Sequence, residues 1–236
     1  MNRIIGLFLL AFLWLSANVF AQQDVKLKKK DRRRDIAMVT TEGTIILRLN
    51  DSTPLHRDNF LRLVKSNYLD STLFHRVIKT FMIQGGDPDS RRAKPGQTLG
   101  DGGPKYTIPA EFNTTLFHKK GALAAAREGD DVNPLKASSA SQFYIVQGKT
   151  YADSILDKIE VKRMQGRKIP EDHRAVYRTL GGTPFLDGNY TVFGEVVKGL
   201  DVVDKIASVE TSKQPPDRPV QDVRILSVKL IKRKKH

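Results

Sequence analysis

The sequence has no cysteine. That excludes disulfide staples, thiolate nucleophiles, thiolate metal sites and a lipid attached at cysteine. Its five histidines, His56, His75, His118, His173 and His236, form no i, i+4 pair and no His-x-His pattern. They therefore read as core or solvated side chains, and no metal or cofactor is expected. Ser138, Ser139 and Ser141 lie close together without a G-x-S-x-G elbow, and no histidine spacing partners them. The glycines at 85, 86, 100, 102 and 103 lack the Lys-Ser/Thr ending and the following helix of a phosphate loop, so they read as turns. Long apolar runs are also missing. The stretch Ile4 to Leu15 is too short for the roughly 20 residues of a spanning helix. It follows Arg3 and precedes Val19-Phe20-Ala21, the layout of a signal peptide over residues 1–21, with an uncleaved anchor as the alternative. An exported, periplasmic or secreted protein is expected.

Acidic residues are fewer than basic ones, 26 against 40, for a formal net charge of +14. The excess is concentrated at the ends. Arg3 carries +1, residues 22–34 carry +5 and Lys232 to Lys235 carry +4, which leaves +4 on residues 35–231. A body this close to neutral does not call for a nucleic-acid partner. Residues 22–34 read as a disordered basic linker and 232–236 as a basic tail, with weak contact to an anionic envelope surface as their one expected interaction.

Residues 35–231 read as one mainly β domain. Asp35 to Asn50 looks like a hairpin turning at Glu42-Gly43, and Pro54 opens a helix carrying Phe60, Leu63 and Val64 on one stripe. Short apolar runs follow at Leu73–Ile78, Phe81–Gln84, Ala122–Ala126, Gln142–Val146 and Thr191–Val197, then a helix at Leu200–Ser208 and a last strand at Val223–Ile231. Two helices and about eight strands with irregular spacing suit an antiparallel barrel or sandwich. Residues 152–180 interrupt this rhythm with helix spacing twice, first at Ile155, Ile159 and Met164, then after Pro170 up to Gly181-Gly182. They read as a helical insertion, expected to pack beside whatever site lies near Phe185.

One stretch carries unexplained chemistry: FHRVIKTFMIQGGDP, Phe74 to Pro88. Arg76 cannot act as a base, because a guanidinium does not deprotonate; it can only be a fixed donor. Spacing alone leaves an exposed strand face or an ion pair equally open. Period 2 also puts Phe81 and Met82 on opposite faces, so they can share a pocket only if a bend at Lys79-Thr80 re-aims one of them.

Phe74-His75-Arg76, Phe81-Met82 and Gln84-Gly85-Gly86-Asp87 together resemble the signature of the cyclophilin-type peptidyl-prolyl isomerases. Gly121 to Arg127, Ser141 to Ile145, Phe185 to Gly188 and Val192 to Val196 follow in the family's order. The resemblance implies a closed eight-stranded antiparallel barrel capped by two helices. It implies Arg76 as the catalytic donor, oriented with the substrate carbonyl by Gln84 and Gln142. Phe81, Met82, Tyr144 and Leu186 would be pocket walls, Phe185 and Tyr190 the rim, and Ala126-Arg127 the strand that pairs with the peptide. Tyr144 stands where many relatives have phenylalanine, and Phe185 and Tyr190 where the best-known eukaryotic members have tryptophan and histidine; Ala126-Arg127 and Tyr190 resemble a bacterial envelope branch. The expected partners are proline-containing polypeptides, the expected state is monomeric, and a peptide-binding module with incidental catalysis is the competing reading.

Overall fold

The computed structural model describes residues 25–233, so the expected signal peptide lies outside the described residues. Twelve strands alternate with four helices in chain order. The first part runs β1 (Arg34–Thr40), β2 (Gly43–Leu49), α1 (Pro54–Lys65), β3 (Phe74–Ile78), β4 (Met82–Gly85), β5 (Thr107–Ile108), β6 (Ala122–Ala125), β7 (Ser138–Ser139) and β8 (Phe143–Val146). The second part runs α2 (Asp153–Arg163), α3 (Glu171–Thr179), β9 (Val192–Lys198), α4 (Leu200–Ile206), β10 (Thr211–Lys213), β11 (Pro216–Pro219) and β12 (Ile225–Lys232). Eight of these strands form one antiparallel sheet in the order β12-β1-β2-β9-β6-β8-β4-β3.

The expected barrel is not closed. β3 and β12 are the ends of the strand order, joined by the single bridge Leu73–Arg224 and the bonds Ser71 N to Ile225 O, Ile225 N to Thr72 O and Phe74 N to Val223 O. The seam stops there because Val228 N, which could extend it, donates instead to Asp70 Oδ1 at 2.8 Å. Next to β3 lies β11, whose terminal residues Pro216 and Pro219 have no N–H to give a ladder. The result is a strongly curled sheet with a short stitch across its gap.

Alternation along the strands builds two apolar layers. Ile36, Met38, Ile45, Leu47, Phe74, Val77, Ile83, Leu123, Phe143, Ile145 and Phe193 line the inner face, where Phe60, Leu63 and Val64 of α1 meet them. Phe60 packs edge-on to Phe143 with ring centroids 5.5 Å apart. The intervening residues Met82, Ala122, Ala124, Tyr144, Val146 and Val192 form a second cluster on the outer face. Strands β4, β6 and β8 are therefore covered on both sides.

Two expectations about the ends and the insertion change. The basic linker is docked from Val25 onward: Asp31 is buried, accepts from Lys28 N at 2.9 Å and pairs with Lys65 at 2.8 Å, while Arg32 pairs with Asp58 at 2.6 Å. A basic segment can dock here because α1 supplies the carboxylate and Asp31 supplies its own. The tail likewise begins inside β12, and Arg233 reaches Asp35 at 3.2 Å. In the insertion, α2 buries Leu156 and Ile159, and Met164 just past its end is buried too, while Ile155 stays exposed. Shifting the stripe by one residue lets Glu160 turn inward to accept from Lys168, Ile169 N and Arg174.

Candidate active site

The outer face of the sheet contains a row that crosses five strands. Arg76 on β3 lies opposite Gln84 on β4, Gln84 opposite Tyr144 on β8, Tyr144 opposite Ala124 on β6, and Ala124 opposite Val192 on β9. A second row, Ile78, Met82 and Val146, runs beside it. The arginine inside an apolar run thus belongs to the outer face, beside an apolar patch. Its neighbour Val77 belongs to the inner core, whereas His75 sits at the break in register between Phe74 and Arg76 and is buried beside Gly100.

The bend needed at Lys79-Thr80 is present. Thr80 has a φ of 64°, in the left-handed region, and its N–H donates to Gln147 Oε1 at 2.6 Å. Gln147 N and Gly148 N then both donate to Phe81 O at 3.0 Å. Phe81 is thereby held outside the strand and joins Met82, Tyr144, Leu186 and Tyr190 in the outer cluster. At the other end of β4, Gly86 has a φ of 96°, and a Cβ there would meet Ser141 O at 2.1 Å. Only glycine lets the chain cross so close to Ser141-Gln142.

The polar groups are arranged differently from the expectation in one respect. Gln84 does not bond Arg76; its Nε2 donates to Gln142 Oε1 at 3.2 Å, and Gln142 Nε2 donates to Gly100 O at 2.5 Å and Gly102 O at 2.9 Å. Gln84 is flanked by β3 and β8, and its amide turns toward β8. What holds Arg76 is Asp217 of β11, whose Oδ2 accepts from Nε at 3.4 Å. Both side chains are partly exposed, so the pair orients more than it stabilises. The terminal guanidinium nitrogens of Arg76 make no hydrogen bond among the described residues, which leaves their donors free.

The two residues expected at the rim each pack on a wall ring. Phe185 stacks on Phe81 with ring centroids 5.7 Å apart, and Tyr190 meets Tyr144 edge-on at 6.0 Å. Leu186 closes the same cluster. Ala126 N donates to Gln142 O at 3.0 Å, and Ala126 O accepts from Ser139 N at 2.8 Å. Arg127 lies over the Tyr190 ring at 4.5 Å and pairs with Asp130 at 2.6 Å.

Sequence reasoning missed the chain beneath Tyr144. The hydroxyl of buried Tyr144 meets His118 Nε2 at 2.9 Å; His118 Nδ1 meets Asp187 Oδ1 at 2.8 Å; Asp187 Oδ2 accepts from Tyr177 Oη of α3 at 2.7 Å. Asp187, an acceptor when ionised, sets the His118 tautomer with the proton on Nδ1, so a neutral ring accepts from Tyr144 at Nε2. Burial, more than any neighbouring charge, pushes the Tyr144 phenol well above its ordinary range, so it remains a neutral donor. The signal was present only as unexplained polar residues: Asp187 inside FLDG, and a tyrosine where an apolar ring would fill the wall.

His56 forms a comparable chain, Nδ1 to Glu111 Oε2 at 2.6 Å and Nε2 to Ser138 Oγ at 2.9 Å. A carboxylate, an imidazole and a serine in series suggest a nucleophile, but Ser138 is 1% exposed, so no substrate reaches it. Burial holds the His56 ring below the usual histidine range despite Glu111. Among the described residues no group of histidines and carboxylates could hold a metal ion, and no helix is long and apolar enough to cross a membrane.

Chemically, these groups define a protein that can hold an apolar ring against aromatic and thioether walls with a permanent cationic donor alongside. The family described as "Cyclophilin type peptidyl-prolyl cis-trans isomerase/CLD" matches residues 36–230. A "Putative peptidyl-prolyl cis-trans isomerase" of Staphylococcus haemolyticus is 34% identical over 200 residues, covering 84% of this chain and 92% of that protein. A "Putative bifunctional phosphatase/peptidyl-prolyl cis-trans isomerase" of Streptococcus pyogenes is 36% identical over 200 residues, 83% of this chain but 38% of that longer protein. The crystal structure of a Cryptosporidium parvum cyclophilin-type isomerase shares the fold with a TM-score of 0.61 at 23% identity, covering 85% of this chain and 99% of that one. The chain belongs to the cyclophilin-type peptidyl-prolyl cis-trans isomerases. It is accordingly an enzyme of peptidyl-prolyl cis-trans isomerisation.

Proposed function

We propose that Arg76 lowers the barrier to X-Pro rotation by donating a hydrogen bond to the prolyl nitrogen of the twisted amide. The planar amide gives that nitrogen no lone pair to offer, and losing its resonance costs most of a barrier of roughly 18–20 kcal/mol. As the bond twists, the nitrogen becomes pyramidal and basic. A donor waiting beside it stabilises the transition state more than either planar ground state, as acceleration requires. The observation that carries this reading is the row from Arg76 through Gln84 to Tyr144, which sets free guanidinium donors beside the Phe81-Met82-Tyr144 walls. Gln84 and Gln142 hold each other, and Gln142 also holds the 100–102 loop, so their role is to fix the floor beside the donor.

A charge-assisted hydrogen bond contributes about 1.5–3 kcal/mol, so Arg76→Ala is expected to lower kcat/KM by about 10- to 100-fold in a protease-coupled assay. Peptide affinity should stay within a few fold. Wild-type turnover by this variant would refute the donor role; equal loss of binding and turnover would favour a peptide-binding module.

The substrates proposed are proline-containing segments of unfolded or newly exported chains, bound by a monomer. The charge and length pattern of residues 1–21 supports export, and a mature N-terminus at Gln22 in sequenced protein would test it. The two basic segments meet where Arg34 of β1 pairs with Lys232 of β12. Weak contact of those segments with an anionic envelope surface should vanish in high salt.

A further inference from the structure

The insertion bears four arginines, Arg163, Arg167, Arg174 and Arg178. Three are committed to the protein. Arg174 bonds Asp153, Asp157 and Glu160, Arg178 bonds Asp153 and Glu171, and Arg167 donates to Asp187 O. Lys168 takes the remaining oxygen of Glu160. Arg163, the last residue of α2, makes no ion pair and no hydrogen bond among the described residues. Its guanidinium lies instead over the Phe185 ring, with Cζ 3.8 Å from the centroid.

Phe185 is also the ring that stacks on Phe81, and Phe81 belongs to the apolar walls beside Arg76. The insertion thus carries a stacked, solvent-exposed cation to the edge of the proline site. Stacking fixes the planar group while leaving its N–H donors free. Lys79 in the bend before Phe81 is exposed and makes no ion pair among the described residues, and neither does exposed Lys149, whose backbone bridges Gly182. Of the carboxylates of α2 and α3, Asp153, Asp157, Glu160 and Glu171 are engaged by Arg174, Arg178 and Lys168, and exposed Asp172 lies nearest His173.

We infer that Arg163 is a specificity-determining residue that favours substrates with an acidic side chain next to the isomerising proline. The inference rests on the isomerase reading of the Arg76 site and adds a substrate class to it. Attraction between exposed groups is modest, so the preference should be about threefold to fivefold in kcat/KM. It should appear mainly in KM, because the contact is the same in the planar and twisted bond.

The test measures isomerisation of short peptides by a protease-free method, with Glu, Gln or Lys placed on either side of the X-Pro bond. Wild type should favour Glu over Lys, and the preference should shrink as salt is raised toward about 0.5 M. Arg163→Gln should bring the Glu/Lys ratio to about one, Arg163→Lys should keep most of it, and Arg163→Glu should invert it. Because the readout is a ratio for each variant, any general loss from a loosened Phe185 cancels. A wild-type ratio of one, or an unchanged ratio in Arg163→Gln, overturns the inference. Failure of wild type to turn over the Gln peptide would instead strike the isomerase reading itself.

Discussion

Acid should destabilise this protein through His75, the residue just before Arg76. Its ring is 4% exposed, and neither ring nitrogen finds a hydrogen-bond partner among the described residues. Burial, with Arg76 and Arg218 adding repulsion and Asp87 only partly offsetting it, lowers its pKa to about 4. In the unfolded chain it titrates near 6.5. Between these values the unfolded state binds more protons than the folded one, so stability is full above pH 6.5 and is lost as pH falls toward 4. The separation is about 2.5 units at ~1.4 kcal/mol each, roughly 3 kcal/mol in the limit, and about 2 kcal/mol is already lost at pH 5. That is a large share of a typical stability of about 5–15 kcal/mol. Urea unfolding of wild type and His75→Phe at pH 7.5 and pH 5 isolates the effect, because every other titrating group is common to both. The acid-induced loss should be about 2 kcal/mol smaller in the variant, whatever its absolute stability. A difference under about 0.5 kcal/mol, or a ring resonance that titrates near 6.5 by NMR, would refute the reasoning.

Two further outcomes follow from the site geometry. Asp217→Asn keeps a residue type that tolerates its φ of 63° but removes the charge holding Arg76. With both partners partly exposed, kcat/KM should fall by about twofold to fivefold with little change in melting temperature, and unaltered kcat/KM would deny Asp217 a positioning role. Gly86→Ala forces a Cβ to within 2.1 Å of Ser141 O at a φ of 96°, and should cost about 2–4 kcal/mol in a denaturant titration. A loss below about 0.5 kcal/mol would show that the crossing at Ser141 is easily relaxed.

Much of the architecture was legible because it depends on local pattern. The hairpin at Glu42-Gly43, the start of α1 at Pro54 and the bounds of the insertion all follow from turn chemistry and periodicity. Ordered motifs singled out Arg76, Gln84, Met82 and Tyr144, which the strand pairing brings to one face, and even the bend at Thr80 could be anticipated from a conflict with period 2. Other features depend on contacts far apart in sequence. Asp217 reaches Arg76 across 141 positions, and no local rule announces that pairing. The seam between β3 and β12 fails to become a ladder because Asp70 takes a backbone donor, a competition that strand propensity does not register. The linker was misjudged for a related reason. Composition counted its charges but could not see that α1 offers Asp58 to Arg32 and Lys65 to Asp31.

The row from Arg76 to Val192 draws one residue from each of five strands, spread over more than a hundred positions of chain. No single hairpin contains both Arg76 and the complete wall. A fragment, or an intermediate with part of the sheet formed, therefore holds a guanidinium without its pocket or a pocket without its guanidinium. Isomerase activity in this protein should switch on only when β9 has docked on β6 and β8 on β4. Enzymatic turnover would then act as a clock for the last long-range pairings of the sheet, a signal that helix content or hairpin formation would give too early.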